Sequence, residues 1–395
     1  MIKTAFRETQ TSIRFGISYV MLFAIYGISS PYLQLMIRRL GYAPSAVGIF
    51  LGLFELIGIT GPIVLARNAD SRGAYKPYLI ASGLMILAGL AILVPFRIPV
   101  ITIISLSLLS LGLKTPIPVL DAALFKAIDI TAPQESRGLN YGLLRSLGSA
   151  GFVIVTLIVQ SIRGFDTASS QTMALYMGIL TAIYLGGLLF LPETGIIQQK
   201  AHKERLSFAW IDSVFIIGIL VIALGRLAMA AVGSFFSLYL TEELGWHAVG
   251  AMWAISATSE IPFIALSWKF IKKNSPMTAI AIASSAIVVR LMIYALFPSP
   301  AGAIAGQLLH SLCYGLFQPA AIVFVSLKTP PEKRATGMAI FMGFGVGLPA
   351  FVGSALGGRI VELLGYRGLF GGYTLFAVAS LLVFYKNRKL LTAVK

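Results

Sequence analysis

Runs of about twenty residues with almost no charge follow one another along this chain, separated by short segments rich in Gly, Pro, Lys and Arg. A helix needs ~20 apolar residues to cross the hydrocarbon core of a bilayer. The runs fall at roughly 15–37, 45–66, 77–95, 99–124, 139–162 and 172–191, then at roughly 210–240, 247–268, 277–297, 301–327, 337–361 and 368–385. Twelve spans of ~22 residues use most of the 395 positions and leave only about ten per loop, which excludes an appended soluble domain. Several spans exceed the minimum and imply tilt. Charged residues make up 12% of the chain, about half of what soluble proteins carry. The expectation is an all-α polytopic membrane protein with twelve transmembrane helices. The first run is too long for a cleavable signal and lacks a small-residue cleavage site.

A formal charge of +16 would point to nucleic acid in a soluble chain, but the positions of the charges point elsewhere. With the N-terminus placed inside, 21 of the 31 Lys and Arg residues fall on inner segments and 6 on outer ones. This is the positive-inside bias, so both termini are expected in the cytoplasm, in a cytoplasmic (inner) membrane, with no nucleic-acid partner. A single cysteine, Cys313, excludes an intrachain disulfide and a cysteine-rich metal site. No cofactor and no metal are expected.

Two loop sequences recur about 200 residues apart. Arg38–Gly48, RRLGYAPSAVG, returns as EELGWHAVG at Glu242–Gly250, and Thr131–Gly138, TAPQESRG, returns as TPPEKRATG at Thr329–Gly337. The pattern predicts two pseudo-symmetric six-helix bundles, 1–192 and 208–395, joined by a cytosolic loop over 193–207. Such parallel repeats place a binding site at their interface near the midplane.

Eight ionisable residues sit inside spans: Glu55, Lys114, Asp121, Arg145, Arg226, Glu260, Arg290 and His310. A charge at the bilayer centre costs about 2.5–3.5 kcal/mol on insertion scales, so such groups face a water-filled cavity and pair with one another, or form structural ion pairs that fix helix packing. Lys114 and Asp121 are seven apart and share a helix face, as do Arg145 and Phe152. Gln307, His310, Tyr314 and Gln318 form a polar stripe at helical spacing. Tyr19, Phe23 and Tyr26 form an aromatic one, a pattern more often made by packing than by binding.

After the second span, Ala66–Lys76 reads ARNADSRGAYK, which resembles the cytosolic loop signature of the major facilitator superfamily (MFS), G-x-x-x-D-R-x-G-R-K. Asp70 and Gly73 match, and Arg72 and Lys76 supply positive charge, while Ala66 and Ser71 depart from it. The resemblance implies the MFS fold and a gating role for Asp70, Arg72 and Gly73. PVLDAALFK (Pro118–Lys126) and YGLLRSLGSAGF (Tyr141–Phe152) resemble the group of lactose permease, phenylpropionate permease and nucleoside symporters. The resemblance puts Asp121 and Arg145 in the substrate site, with Phe152 where the sugar permease has a stacking Trp. Lys114, Tyr26, Gln307 and Tyr314 complete the expected substrate-binding set. VVRLMIYAL followed by LLHSLCYG sets Arg290 and His310 twenty apart, as in that group's coupling cluster. Cys313 stands in place of its proton-carrying acid, and Glu260, in ATSEIPF, lies about one turn from the group's eighth-span acid. The expected proton-coupling set is Glu260, Arg290, His310, Glu55 and Arg226.

No Walker A pattern is present, so a gradient must supply the energy. Desolvation disfavours the charged form of a carboxylate, which makes a span acid the natural proton carrier. The expected function is secondary active transport: proton-coupled symport, in the uptake direction, of an organic acid, sugar or nucleoside by alternating access. The expected partners are the solute, the proton and the bilayer, and the expected state is a monomer. Drug or lipid efflux by proton antiport is the alternative, although GSAGFVIV (Gly148–Val155) lacks the Gly-Pro that such antiporters often carry. A non-transporting sensor is the alternative of another class. The chain is not expected to be an enzyme, because His202, His247 and His310 are scattered.

Overall fold

The structure, a computed structural model, describes residues 2–131, 137–192 and 208–394. Every regular element in those residues is helical. In chain order these are α1 (Ile2–Arg38), α2 (Pro44–Gly58), α3 (Arg67–Arg72), α4 (Lys76–Leu93), α5 (Pro99–Lys114), α6 (Pro116–Thr131), α7 (Arg137–Ser161) and α8 (Ser170–Leu188). Then come α9 (Ser213–Leu238), α10 (Val249–Asn274), α11 (Pro276–Leu296), α12 (Pro300–Leu308), α13 (Phe317–Lys328), α14 (Arg334–Ile340), α15 (Leu348–Lys386) and α16 (Arg388–Thr392).

The helix starts follow from local chemistry. Pro opens α5, α11 and α12, where its missing N–H is not needed. Ser275, Ser299 and Asp212 cap α11, α12 and α9 by accepting from the backbone N–H three residues on. Large apolar side chains are turned outward, with Leu143, Leu175, Leu363 and Leu375 each more than 60% exposed. That arrangement suits a lipid surround and would be costly in water.

Ten helices among the described residues are long and apolar enough to cross a membrane, or eleven if the bent pair Val249–Phe263 and Leu266–Asn274 is one span. The bend of 55° follows Pro262, which cannot donate within α10. The twelve expected are not reached, because the last stretch, Pro331–Lys386, runs helix into helix over 56 residues. Its break is a single residue, Gly365, at φ 69° and ψ −177°, a conformation that side chains disfavour.

Two compact units emerge, Met1–Leu40 with Ile57–Lys203, and Gly41–Leu56 with Glu204–Lys395. The expected division lay in the 193–207 loop, which is outside the described residues. Most of α2 instead belongs to the second unit, and its sequence explains why. Gly48 and Gly358 let the α2 and α15 backbones approach closely, and the Ser45 N–H and hydroxyl both donate to Glu362 Oε1, at 3.0 and 2.7 Å. In the first unit α1 packs on α7 and α8, with the Thr156 hydroxyl reaching the Gly27 carbonyl at 3.2 Å. In the second, α9 and α11 pack on α15, and Ser380 donates to the Val221 carbonyl at 2.8 Å.

Candidate functional site

Each unit carries a cluster that gathers ionisable residues expected inside its spans. In the first unit Asp121 on α6 and Arg145 on α7 come together, with Arg145 Nε 3.7 Å from Asp121 Oδ1. The Tyr19 hydroxyl on α1 donates to the same oxygen at 2.5 Å. The Phe23 ring lies 4.4 Å from the Arg145 guanidinium carbon, a cation–π contact on one face of the cation. Tyr141, one turn before Arg145, brings its hydroxyl to both members of the pair and stacks its ring on Phe125 at 4.3 Å.

Of the other substrate-binding expectations, Tyr26, Lys114 and Phe152 lie in this first unit, and Gln307 and Tyr314 belong to the second. Tyr26 donates to the Leu113 carbonyl and packs on Phe23. Lys114 closes α5 with its stem against Gly58. Phe152 lies two turns beyond Arg145, and its carbonyl accepts from Thr156 at 2.6 Å. The ring on the guanidinium is Phe23, contributed by α1. Sequence reasoning read Tyr19 and Phe23 as packing and passed over Tyr141. The signal was there in their i, i+4 spacings, Tyr19 with Phe23 and Tyr141 with Arg145.

The second cluster is built on Arg290 of α11, which is 3% exposed. Its Nε donates to the Tyr294 hydroxyl at 3.1 Å, its Nη1 meets His310 Nδ1 at 3.0 Å, and its Nη2 donates to Gln307 Oε1. The Cys313 thiol contacts it as well. Arginine only donates, so His310 Nδ1 accepts and the imidazole proton sits on Nε2. That nitrogen lies 3.7 Å from Glu260 Oε2 on α10. Glu260, His310, Arg290, Gln307 and Tyr294 thus form one connected chain.

His310 lies just beyond α12, at the start of a π-helical turn over Ser311–Leu316, a distortion frequent at functional sites. Through it the His310 and Tyr314 rings stack at 5.5 Å, 8° from parallel. Arg226 of α9 covers the other aromatics, its guanidinium carbon 5.1 Å from the Tyr314 ring centre and 5.6 Å from that of Phe317. Glu55 is half-buried on α2 and is not among the groups that hold Arg290 or His310.

The loop motif forms a third feature. Gly73 ends α3 in the left-handed conformation, φ 63°, and its N–H donates to the Asp70 carbonyl at 3.1 Å. Tyr75 hydrogen-bonds the Asp70 carboxylate; burial, then that carboxylate, pushes its phenol up to about 12. Lys126 lies 5.5 Å over the Tyr75 ring, Lys76 Nζ caps α8 through the Leu189 carbonyl at 2.8 Å, and Arg72 is exposed.

A family model, described as the MFS_1 like family, matches residues 12–372. The chain belongs to that family. Among its relatives are "Uncharacterized transporter YwbF" of Bacillus subtilis (strain 168), 26% identical over 95% of this chain and 92% of that one, and "Probable 3-phenylpropionic acid transporter" of Escherichia coli (strain K12), 24% identical over 93% and 95%. The maltose permease of Geobacillus stearothermophilus is 22% identical over 93% and 92%. A crystal structure of a variant of the nucleoside transporter NupG superposes with a TM-score of 0.84 at 16% identity, covering 95% of this chain and 99% of that one. The fold of this MFS_1-like chain is therefore that of the major facilitator superfamily. Its relatives and structural neighbours are membrane transporters that move small solutes.

Proposed function

We propose that this chain is a proton-coupled symporter that takes up a small aromatic carboxylic acid by alternating access of its halves 1–192 and 208–395. It would work in a cytoplasmic membrane as a monomer with both termini inside. The observation that carries the coupling is the run Glu260–His310–Arg290, in which a span carboxylate faces an imidazole N–H held in place by a buried guanidinium. A carboxylate that takes a proton loses its charge and crosses a low-dielectric region at far lower cost. Asp121 is already engaged by Tyr19 and Arg145, and Glu55 is not among the groups that hold Arg290 or His310, which favours Glu260 as the carrier.

The solute class rests on charge. Across the spans Glu55, Asp121 and Glu260 face Lys114, Arg145, Arg226 and Arg290, one positive charge in excess, and a proton taken up for symport adds another. Uncompensated charge in such a site is costly, and an anionic ligand relieves it. Similarity to a probable 3-phenylpropionic acid transporter supports an acid with an aromatic body. Similarity to a maltose permease and to NupG keeps neutral sugars and nucleosides in the comparison set.

The test is uptake into proteoliposomes under an imposed pH gradient, with 3-phenylpropionate, maltose and uridine as solutes. Wild type is expected to concentrate the acid, and Glu260→Gln to exchange it without concentrating it. Accumulation by the Gln variant would move the carrier to Glu55 or Asp121. Accumulation of a neutral solute with none of the acid would overturn the solute class.

A further inference from the structure

Of the four cations expected inside the spans from the sequence, three have partners. Arg290 is held by Tyr294, His310 and Gln307. Arg145 has Asp121 at 3.7 Å, and Lys114 has contacts of its own. Arg226 differs. It sits near the middle of the apolar stretch Ser213–Glu243, and no carboxylate oxygen of the described residues lies within 4.0 Å of it. Its Nε is buried without a hydrogen-bond partner among the described residues.

The face of the guanidinium is satisfied by the Tyr314 and Phe317 rings, but its edge is not. A buried guanidinium edge without an acceptor is a costly feature, and cation–π contact offsets only part of that cost. The edge formed by Nε and its neighbouring Nη is the one that grips a carboxylate with two parallel hydrogen bonds. Gln318, next in sequence to Phe317, likewise buries its Oε1 without a partner among the described residues.

We propose that Arg226 binds the carboxylate of the transported acid through its Nε edge, on the platform of Tyr314 and Phe317. Gln318 then takes a hydrogen-bond donor of the solute or an accompanying water. Arg145, with Asp121 on its own edge, is left to position the first unit's cluster. The assignment rests on the solute being a carboxylic acid, as proposed above.

The test uses the purified full chain and two probes of one shape, 3-phenylpropionate and its uncharged amide, with affinities read by calorimetry and thermal shift. Wild type is expected to prefer the acid. In Arg226→Gln the acid should weaken roughly 10- to 100-fold, the loss of a charge-assisted pair, while the amide changes little. Arg226→Lys keeps the charge without the Nε edge and should retain part of the preference. Arg145→Gln should still prefer the acid, even where overall binding falls. Ligand-free Arg226→Gln should melt at or above wild type, since no carboxylate of the described residues lies within 4.0 Å to lose a partner. An acid preference that survives Arg226→Gln overturns the assignment alone, and so does a ligand-free melting temperature that falls, the mark of a structural partner for Glu260. A wild type with no preference for the acid overturns the solute class, and the role of Arg226 with it.

Discussion

Replacing Arg290 by Lys tests whether the second cluster is a rigid unit or a loose collection of polar groups. The guanidinium serves three acceptors from α11, α12 and the turn after it, the Tyr294 hydroxyl at 3.1 Å, His310 Nδ1 at 3.0 Å and Gln307 Oε1. They lie around a planar fork, and an ammonium at the end of a flexible stem reaches one of them at a time. Two hydrogen bonds to a charged donor are then lost, each worth about 1.5–3 kcal/mol, and relaxation or an entering water returns part of it. A net loss of about 2–4 kcal/mol follows. At 2–4 °C per kcal/mol for a unit of about 200 residues, the melting temperature should fall by roughly 5–15 °C. The assay is thermal unfolding of purified wild type, Arg290→Lys, Gln307→Leu and Tyr294→Phe. The single-bond variants should each fall by less than Arg290→Lys. A lysine variant that melts within 2 °C of wild type would refute the reasoning, because it would mean that the three bonds do not act together.

Other outcomes follow from named contacts. Tyr19→Phe removes the 2.5 Å bond to Asp121, so in a double-mutant cycle with Asp121→Asn the two changes should couple by about 1–2 kcal/mol in melting experiments; additive losses would show that the bond carries nothing. Arg145→Lys should cut uptake at least tenfold while the chain stays folded, and near-normal uptake would make the Asp121 pair merely structural. Gly73→Ala forces a Cβ into φ 63° and should cost about 1–2 kcal/mol, with Gly73→Asn milder; equal melting temperatures for the two would contradict the left-handed cap. Burial alone would raise the Asp212 carboxyl, but Lys328 at 2.5 Å and the Phe215 N–H hold it below its ordinary value. The stability this carboxylate contributes is therefore present at neutral pH and lost as the pH falls below the usual carboxylate range. Asp212→Asn should melt lower than wild type at pH 7 and equal to it in acid, and a gap that persists in acid would exclude the charge as its source.

Most of the helices were legible because a ~20-residue apolar run has few other folds open to it. Their joints were less so. Gly365 breaks the last long helix inside the gap read between 337–361 and 368–385, yet with a single residue, so the backbone runs on as one stretch of 56 residues. The π-helical turns at Pro62–Ala66, Tyr239–Glu243, Ser311–Leu316 and Phe341–Gly347 left no mark in the sequence pattern. Reading faces from a 3.6-residue period assumes that the period never slips. The grouping of Gly41–Leu56 with the second unit depends on Gly48, Ser45, Gly358 and Glu362, more than 300 positions apart, and no local pattern announces a contact of that range.

The candidate site divides along the same line. Charges within a span must find partners, so Asp121 with Arg145 and Glu260 with His310 and Arg290 could be listed before any coordinates. Which aromatic covers which cation could not, since Phe23 and Phe152 are equally plausible by spacing and only the packing of α1 on α7 chooses Phe23. The unpaired edge of Arg226 was hidden because a sequence displays residue types and never which donors are spent. That edge connects the two proposals. Arg226 and Glu260 border the same cluster, joined through the Tyr314 ring and the His310 ring stacked on it. A carboxylate arriving on Arg226 brings a negative charge to the cluster that holds Glu260 and disfavours its ionised form, so solute binding and the protonation of Glu260 become linked. Linkage of that kind is reciprocal, and the proton must in turn strengthen the hold on the solute. In Arg226→Gln both halves of the link should vanish together.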